Sequence, residues 1–153
     1  MKRFYNYIGF LMVAVVFTSC LKAGLEDLET YDQAEMTNVR FEYRWWDEAK
    51  QQMRVMQLTT DKTINKDDRS IVCTITVPPA TATFTQSIRE KVSLENLAAN
   101  VDISTAARIK PVDNAPILGS PADFSAKEFA YLITAADGKN SARWVIKISD
   151  FKK

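Results

Sequence analysis

The chain has 153 residues, 20 of them basic and 19 acidic, for a formal net charge of +1; it contains no histidine, two cysteines and four glycines. A balance this close to neutral excludes a nucleic-acid groove built on a basic face, and the missing histidine excludes Ser-His-Asp and Cys-His nucleophile systems together with histidine-ligated zinc. So few glycines leave no phosphate-cradling loop of either familiar spacing.

Taken in order, the chain begins with Lys2 and Arg3, then the apolar run Ile8 to Phe17, then Thr18-Ser19-Cys20. This is the layout of a secretory signal over 1–19, too short for a comfortable spanning helix. A retained membrane helix, or a non-lipid signal cleaved nearby, is the rival reading. Cys20 directly after Thr-Ser resembles the lipobox of bacterial lipoproteins, with Phe17 where Leu is more usual. The resemblance implies lipidation at Cys20 and a membrane contact through the acyl chains, each buried methylene contributing ~0.8 kcal/mol. Cleavage there leaves 134 residues, 18 basic and 19 acidic. That is one ordinary domain, able to bury about two-thirds of its unfolded surface without disulfides.

Residues 20–36 read as a lipidated tether. Ten flexible residues span about 17 Å root-mean-square, which keeps the domain close to the lipid. Glu26, Asp27 and Glu29 loosely resemble the acidic export signal of surface lipoproteins in Bacteroidota, although they stand further from the cysteine than that signal does. A solvated linker or a frayed helical turn explains the cluster equally simply.

From Val39 a two-residue period sets in. Val39, Phe41, Tyr43 and Trp45 fall on one face, Arg40, Glu42, Arg44 and Trp46 on the other, as in a half-buried strand. Asp47 to Lys50 makes a turn, Gln52 to Thr59 returns as a second strand, and Asp61 to Arg69 reads as a charged loop. Ile71 to Val77 is a strand closed by Pro78-Pro79. On it, Cys73 shares a face with Ile71, Ile75 and Val77, so it is expected to be a small buried hydrophobe rather than a reactive thiol. No intramolecular disulfide is available once Cys20 carries lipid.

Phe84, Ile88 and Val92 recur at helical spacing, predicting a short helix over 85–91 and a further helical turn after Ser93, with Ser93 as its cap. Short strands are expected over 101–104 and 108–110, then a loop from Pro111 to Pro121. Glu128 to Ala135 and Arg143 to Ser149 alternate clearly and flank Asp137-Gly138-Lys139-Asn140, a hairpin turn with glycine where positive φ is cheap. Short strands between turn signals, with no long helix, indicate an all-β chain folded as an antiparallel β-sandwich.

Ala107-Arg108-Ile109-Lys110-Pro111, Ala122-Asp123-Phe124-Ser125, Phe129 to Gly138 and Trp144-Val145-Ile146 occur in that order. They resemble the C-terminal half of an Ig-like domain of unknown function found in Bacteroidota lipoproteins, and Ile75-Thr76-Val77-Pro78 resembles its first strand. The resemblance covers 70–150 of a domain spanning 37–153, with the aromatic hairpin over 37–69 as a local addition. It implies an Ig-like sandwich and, more loosely, a place beside Sus-type outer-membrane uptake systems; such motifs transfer fold more safely than function.

Candidate chemistry is sparse. Asp61, Thr63, Asn65 and Asp67 resemble the opening of a calcium loop, but Lys66 replaces the required glycine and Val72 the bidentate glutamate, so a solvated loop is the simpler reading. The carboxylate pairs Asp47/Glu48 and Asp67/Asp68 are adjacent in turns rather than set across a cleft. No catalytic residue, metal site or cofactor is expected. Trp45 and Trp144 read as core. Trp46, beside Arg44 and Glu42, is first expected to cover a sheet edge or pack under the 61–69 loop; alternatively its indole stacks on a sugar or anchors a protein partner together with Arg44, with Tyr43 and Tyr31 as weaker candidates of the same kind. The resulting expectation is a non-catalytic, lipid-anchored outer-membrane protein at the cell surface. It would be an accessory subunit of a Sus-type nutrient (glycan or peptide) uptake assembly, contacting the transporter and its lipoprotein partner; the alternative is an independent glycan-binding lipoprotein.

Overall fold

A computed structural model describes residues 31–153. The expected signal peptide, Cys20 and the acidic cluster before Tyr31 lie outside the described residues. Among the described residues nine strands form two facing sheets: β1 (Met36–Asp47), β2 (Gln52–Gln57), β3 (Thr59–Asn65), β4 (Ser70–Thr76), β5 (Leu97–Ile103), β6 (Arg108–Val112), β7 (Pro121–Ala122), β8 (Glu128–Thr134) and β9 (Ser141–Lys152). The first sheet has the order β2-β1-β5-β7 and the second β3-β4-β9-β8-β6. The expected all-β sandwich is present. One pairing departs from the antiparallel expectation, because β4 and β9 run side by side in the same direction. Both strands start from the same end of the sandwich, each after a connection that returns there, so they meet as parallel neighbours.

The alternation seen in the sequence is the alternation of burial. Val39, Phe41 and Tyr43 on β1 point inward to meet Ile71, Cys73 and Ile75 on β4, Phe129, Tyr131 and Ile133 on β8 and Trp144, Ile146 and Ile148 on β9, all buried. Phe124 fills the space between the sheets, edge-on to Phe41 at 5.4 Å and to Phe129 at 5.1 Å, a geometry that sets a ring edge against a π face. Polar atoms carried into this core find partners: the Trp144 indole donates to the carbonyl of Ala34 at 2.9 Å, and the Tyr131 hydroxyl to that of Pro116 at 2.9 Å.

Three local expectations are corrected. The supposed charged loop over 61–69 is mostly β3, paired in full ladder with β4 and turning only after Asn65. Its side chains are solvated on both faces because it is an edge strand, so the core leaves no period in its sequence. Gln52 to Thr59 is likewise not one strand: β2 ends at Gln57, Leu58 is buried, and the chain resumes as β3 in the opposite sheet. Ser93 precedes a single 3-10 turn (Leu94–Asn96) but makes no side-chain capping bond. The helix α1 (Gln86–Glu90) forms as expected, and Pro111 lies within β6, an edge strand, where a missing donor costs nothing.

The ends of the sandwich differ. Residues 31–35 are held at one pole, where the Tyr31 carbonyl accepts from the amide of Asp137, Ser104 bonds Glu35, and Lys66 pairs with Glu35 at 2.8 Å. From there β1 runs twelve residues to the other pole, a distance of about 40 Å at strand rise. That far pole gathers the β1–β2 turn, residues 77–91 and the last residues of β9, with the Lys153 amine on the carbonyl of Glu90 and the Val77 amide on that of Lys152.

Candidate functional site

The far pole holds a groove of about 600 Å³, lined on one side by Tyr43, Trp45, Trp46 and the turn residues Asp47 to Lys50, and on the other by Ala82, Thr83, Thr85, Ile88 and Lys91. The β1–β2 hairpin supplies the first wall. Its turn is braced by Asp47, whose carboxylate accepts from the Lys50 amide at 3.1 Å and from Arg54 Nε at 3.0 Å. The Arg54 hydrogen bond holds the Asp47 carboxyl below its ordinary range.

The second wall is pinned to the first through aromatic contacts. Tyr43 and Trp45 stack at 6.0 Å with rings 17° apart, and Trp45 meets Phe84 at 5.7 Å. Phe84 is fully buried. The Thr81 amide donates to the Phe84 carbonyl, the Phe84 amide to the Thr81 hydroxyl, and Arg89 to the carbonyl of Pro78 at 2.9 Å, tying the 77–91 segment into a compact loop around it. Trp46 stands at the lip of the groove, 48% exposed, with Met53 as its cross-strand partner at 57% and Val55 next along at 50%. These form an apolar strip on the outer face of the hairpin.

The predicted site residues separate. Tyr43 and Trp46 both line the far-pole groove, but Tyr43 is only 5% exposed and serves as a core ring behind Trp45 rather than a free aromatic face. Arg44 shares the outer face with Trp46 yet turns toward a second depression of about 590 Å³, whose lining includes Arg40, Glu42, Gln57, Asn100 and Gly119. There it donates to Glu42 at 2.6 Å, and Gln57 donates to the other carboxylate oxygen at 2.6 Å, so Glu42 is fully engaged at 6% exposure. Arg40 is spent in a two-pronged pair with Asp102 at 2.7 and 2.8 Å; this pairing keeps the Asp102 carboxyl below its usual range. Tyr31 is exposed at the opposite pole. Trp46 does not pack under residues 61–69, which lie in the other sheet.

Lys50 and Lys91 line the groove and Phe84 is buried behind its second wall; the sequence reading singled out none of the three for the site. Only the helical spacing of Phe84 and Ile88 pointed to the second wall.

The calcium-loop resemblance dissolves in three dimensions: Asp61, Thr63 and Asn65 are strung along β3 opposite Thr74, Val72 and Ser70, where a strand cannot wrap a cation. Among the described residues no group of three or more carboxylates and thiols is placed to hold a metal, and no helix is long and apolar enough to cross a membrane. Cys73 is buried, donates to the carbonyl of Lys147 at 3.5 Å, and burial pushes its thiol up to about 11, the opposite of an activated nucleophile.

A family model described as DUF5018-related matches residues 36–147. Among solved structures, a candidate secreted protein from Bacteroides fragilis is 34% identical to this chain, covering 82% of it and 100% of its own length, with a TM-score of 0.71. No curated protein matches the chain.

Proposed function

The chain belongs to the DUF5018-related family, and from that premise we propose that it is a non-catalytic outer-membrane lipoprotein, an accessory subunit of a Sus-type nutrient-uptake assembly. The observation that carries this reading is the far-pole groove with its half-exposed Trp46 lip, a contact surface on a rigid hairpin rather than a cleft with convergent acids. The likeness to a candidate secreted Bacteroides protein supports export, and Cys20 after the apolar run supports a lipid anchor. Against catalysis stand the absence of histidine, the raised thiol of Cys73 and the engaged carboxylates Asp47 and Glu42. A surface glycan-binding role without a transporter is the second reading, favoured by the same groove.

Affinity purification of the full-length lipidated protein from gently solubilised native outer membranes tests the assignment. A transporter and its lipoprotein partner should co-purify in fixed ratio, and Cys20→Ala should leave the membrane fraction. Recovery of the protein alone would refute the accessory role and leave the independent binder.

A further inference from the structure

We infer that the far-pole groove takes an anionic saccharide, a sugar chain bearing carboxylate, sulfate or phosphate groups. This rests on the groove being the contact site; it does not rest on membership of a transporter complex.

Charge comes first. Five charged side chains line the groove: Asp47, Glu48, Lys50, Arg54 and Lys91. Asp47 and Arg54 neutralise one another. Glu48 accepts only from the Gln51 amide, and neither Lys50 nor Lys91 makes an ion pair among the described residues. Two unpaired ammonium groups against one carboxylate leave the groove net cationic, on opposite walls. Lysines of this kind act as mobile point charges suited to anions of varied geometry.

The apolar part of the lining fits a sugar. The half-exposed Trp46 indole offers a π face whose negative quadrupole attracts the polarised C–H bonds of a pyranose, while Thr83 and Thr85 on the facing wall supply hydroxyls. The volume, about 600 Å³, lies in the range of small-ligand sites.

A phosphate-bearing lipid headgroup has the same anionic chemistry, and the vesicle arm of the test separates the two sources. The described chain enters at the pole of Tyr31 and Glu35, whereas the groove sits at the opposite end of β1, about 40 Å away.

The test uses the soluble chain from residue 21 onward on a panel of uronate-, sulfate- and phosphate-bearing oligosaccharides. Each is paired with its neutral or esterified counterpart, and phosphatidylglycerol vesicles form a separate arm. At least one acidic oligosaccharide should bind, its neutral counterpart about tenfold or more weakly. Lys50→Gln with Lys91→Gln should abolish that difference at unchanged melting temperature, and Trp46→Ala should weaken acidic and neutral members alike. Retention of no acidic member, equal affinity within pairs, an unaffected double variant, or binding to vesicles in place of sugars would each overturn the inference.

Discussion

Replacing Phe84 with alanine tests whether the groove's second wall is held by one ring. Phe84 is fully buried, lies 5.7 Å from Trp45 and is the residue around which the 77–91 segment closes. Removing a buried phenyl loses its transfer energy and leaves a cavity, together about 3–5 kcal/mol. For a domain of this length each kcal/mol lowers the melting temperature by roughly 3–4 °C, so the midpoint should fall by roughly 10–20 °C. Phe84→Leu keeps most of the volume and should cost about 1–1.5 kcal/mol. Calorimetry gives the midpoints. Tryptophan fluorescence at a temperature where Phe84→Ala is still folded reads the site, and Trp45 should shift to the red as the wall loosens. A loss below about 1 kcal/mol with unshifted fluorescence would refute Phe84 as the anchor, since a fully buried ring cannot be removed so cheaply from a close-packed core.

Other outcomes follow from single contacts. Cys73 should resist an aromatic disulfide reagent in the native state and react in denaturant. Its thiol is raised from 9.0 to about 11 in the fold, so its contribution is complete below pH 9 and is lost as pH rises through 11; the loss, on the order of 2–3 kcal/mol, should appear in alkaline denaturation and vanish in Cys73→Ala. Tyr131→Phe removes the hydroxyl bonded to the Pro116 carbonyl and should cost about 1–2 kcal/mol by urea titration. Gly138 has φ of +68° with nothing within 4 Å of an added Cβ, so Gly138→Ala should cost about 1 kcal/mol from backbone strain alone; an unchanged urea midpoint would show that the turn relaxes.

Legibility in the sequence followed burial. β1, β4, β8 and β9 place one face in the core, and the alternation of Val39, Phe41 and Tyr43 or of Trp144, Ile146 and Ile148 announced them. β3 was invisible because an edge strand solvated on both sides imposes no pattern on its residues. The change of sheet at Leu58 left no mark either, since one buried leucine reads the same inside a strand as between two. At the site, alternation correctly turned Trp46 outward, and adjacency then grouped it with Arg44 and Tyr43. In the fold Arg44 is drawn to Glu42 and Tyr43 is enclosed. The second wall comes from 82–91, brought to the hairpin by Phe84, a long-range contact that no local period encodes.

The position of β9 bears on how this protein acquires its structure. The strand nearest the C-terminus lies in the middle of the five-stranded sheet, with β4 on one side and β8 on the other, and its partnership with β4 joins Ser70 to Val145 and Thr76 to Lys152. Until residues 141–152 are present, β3 and β4 have no sheet to join, and half of the sandwich has nothing to pack against. Closing so long a loop late makes folding slow and cooperative rather than stepwise along the nascent chain. The same arrangement makes trimming at the C-terminal end far more damaging than an equal insertion in the exposed β1–β2 turn.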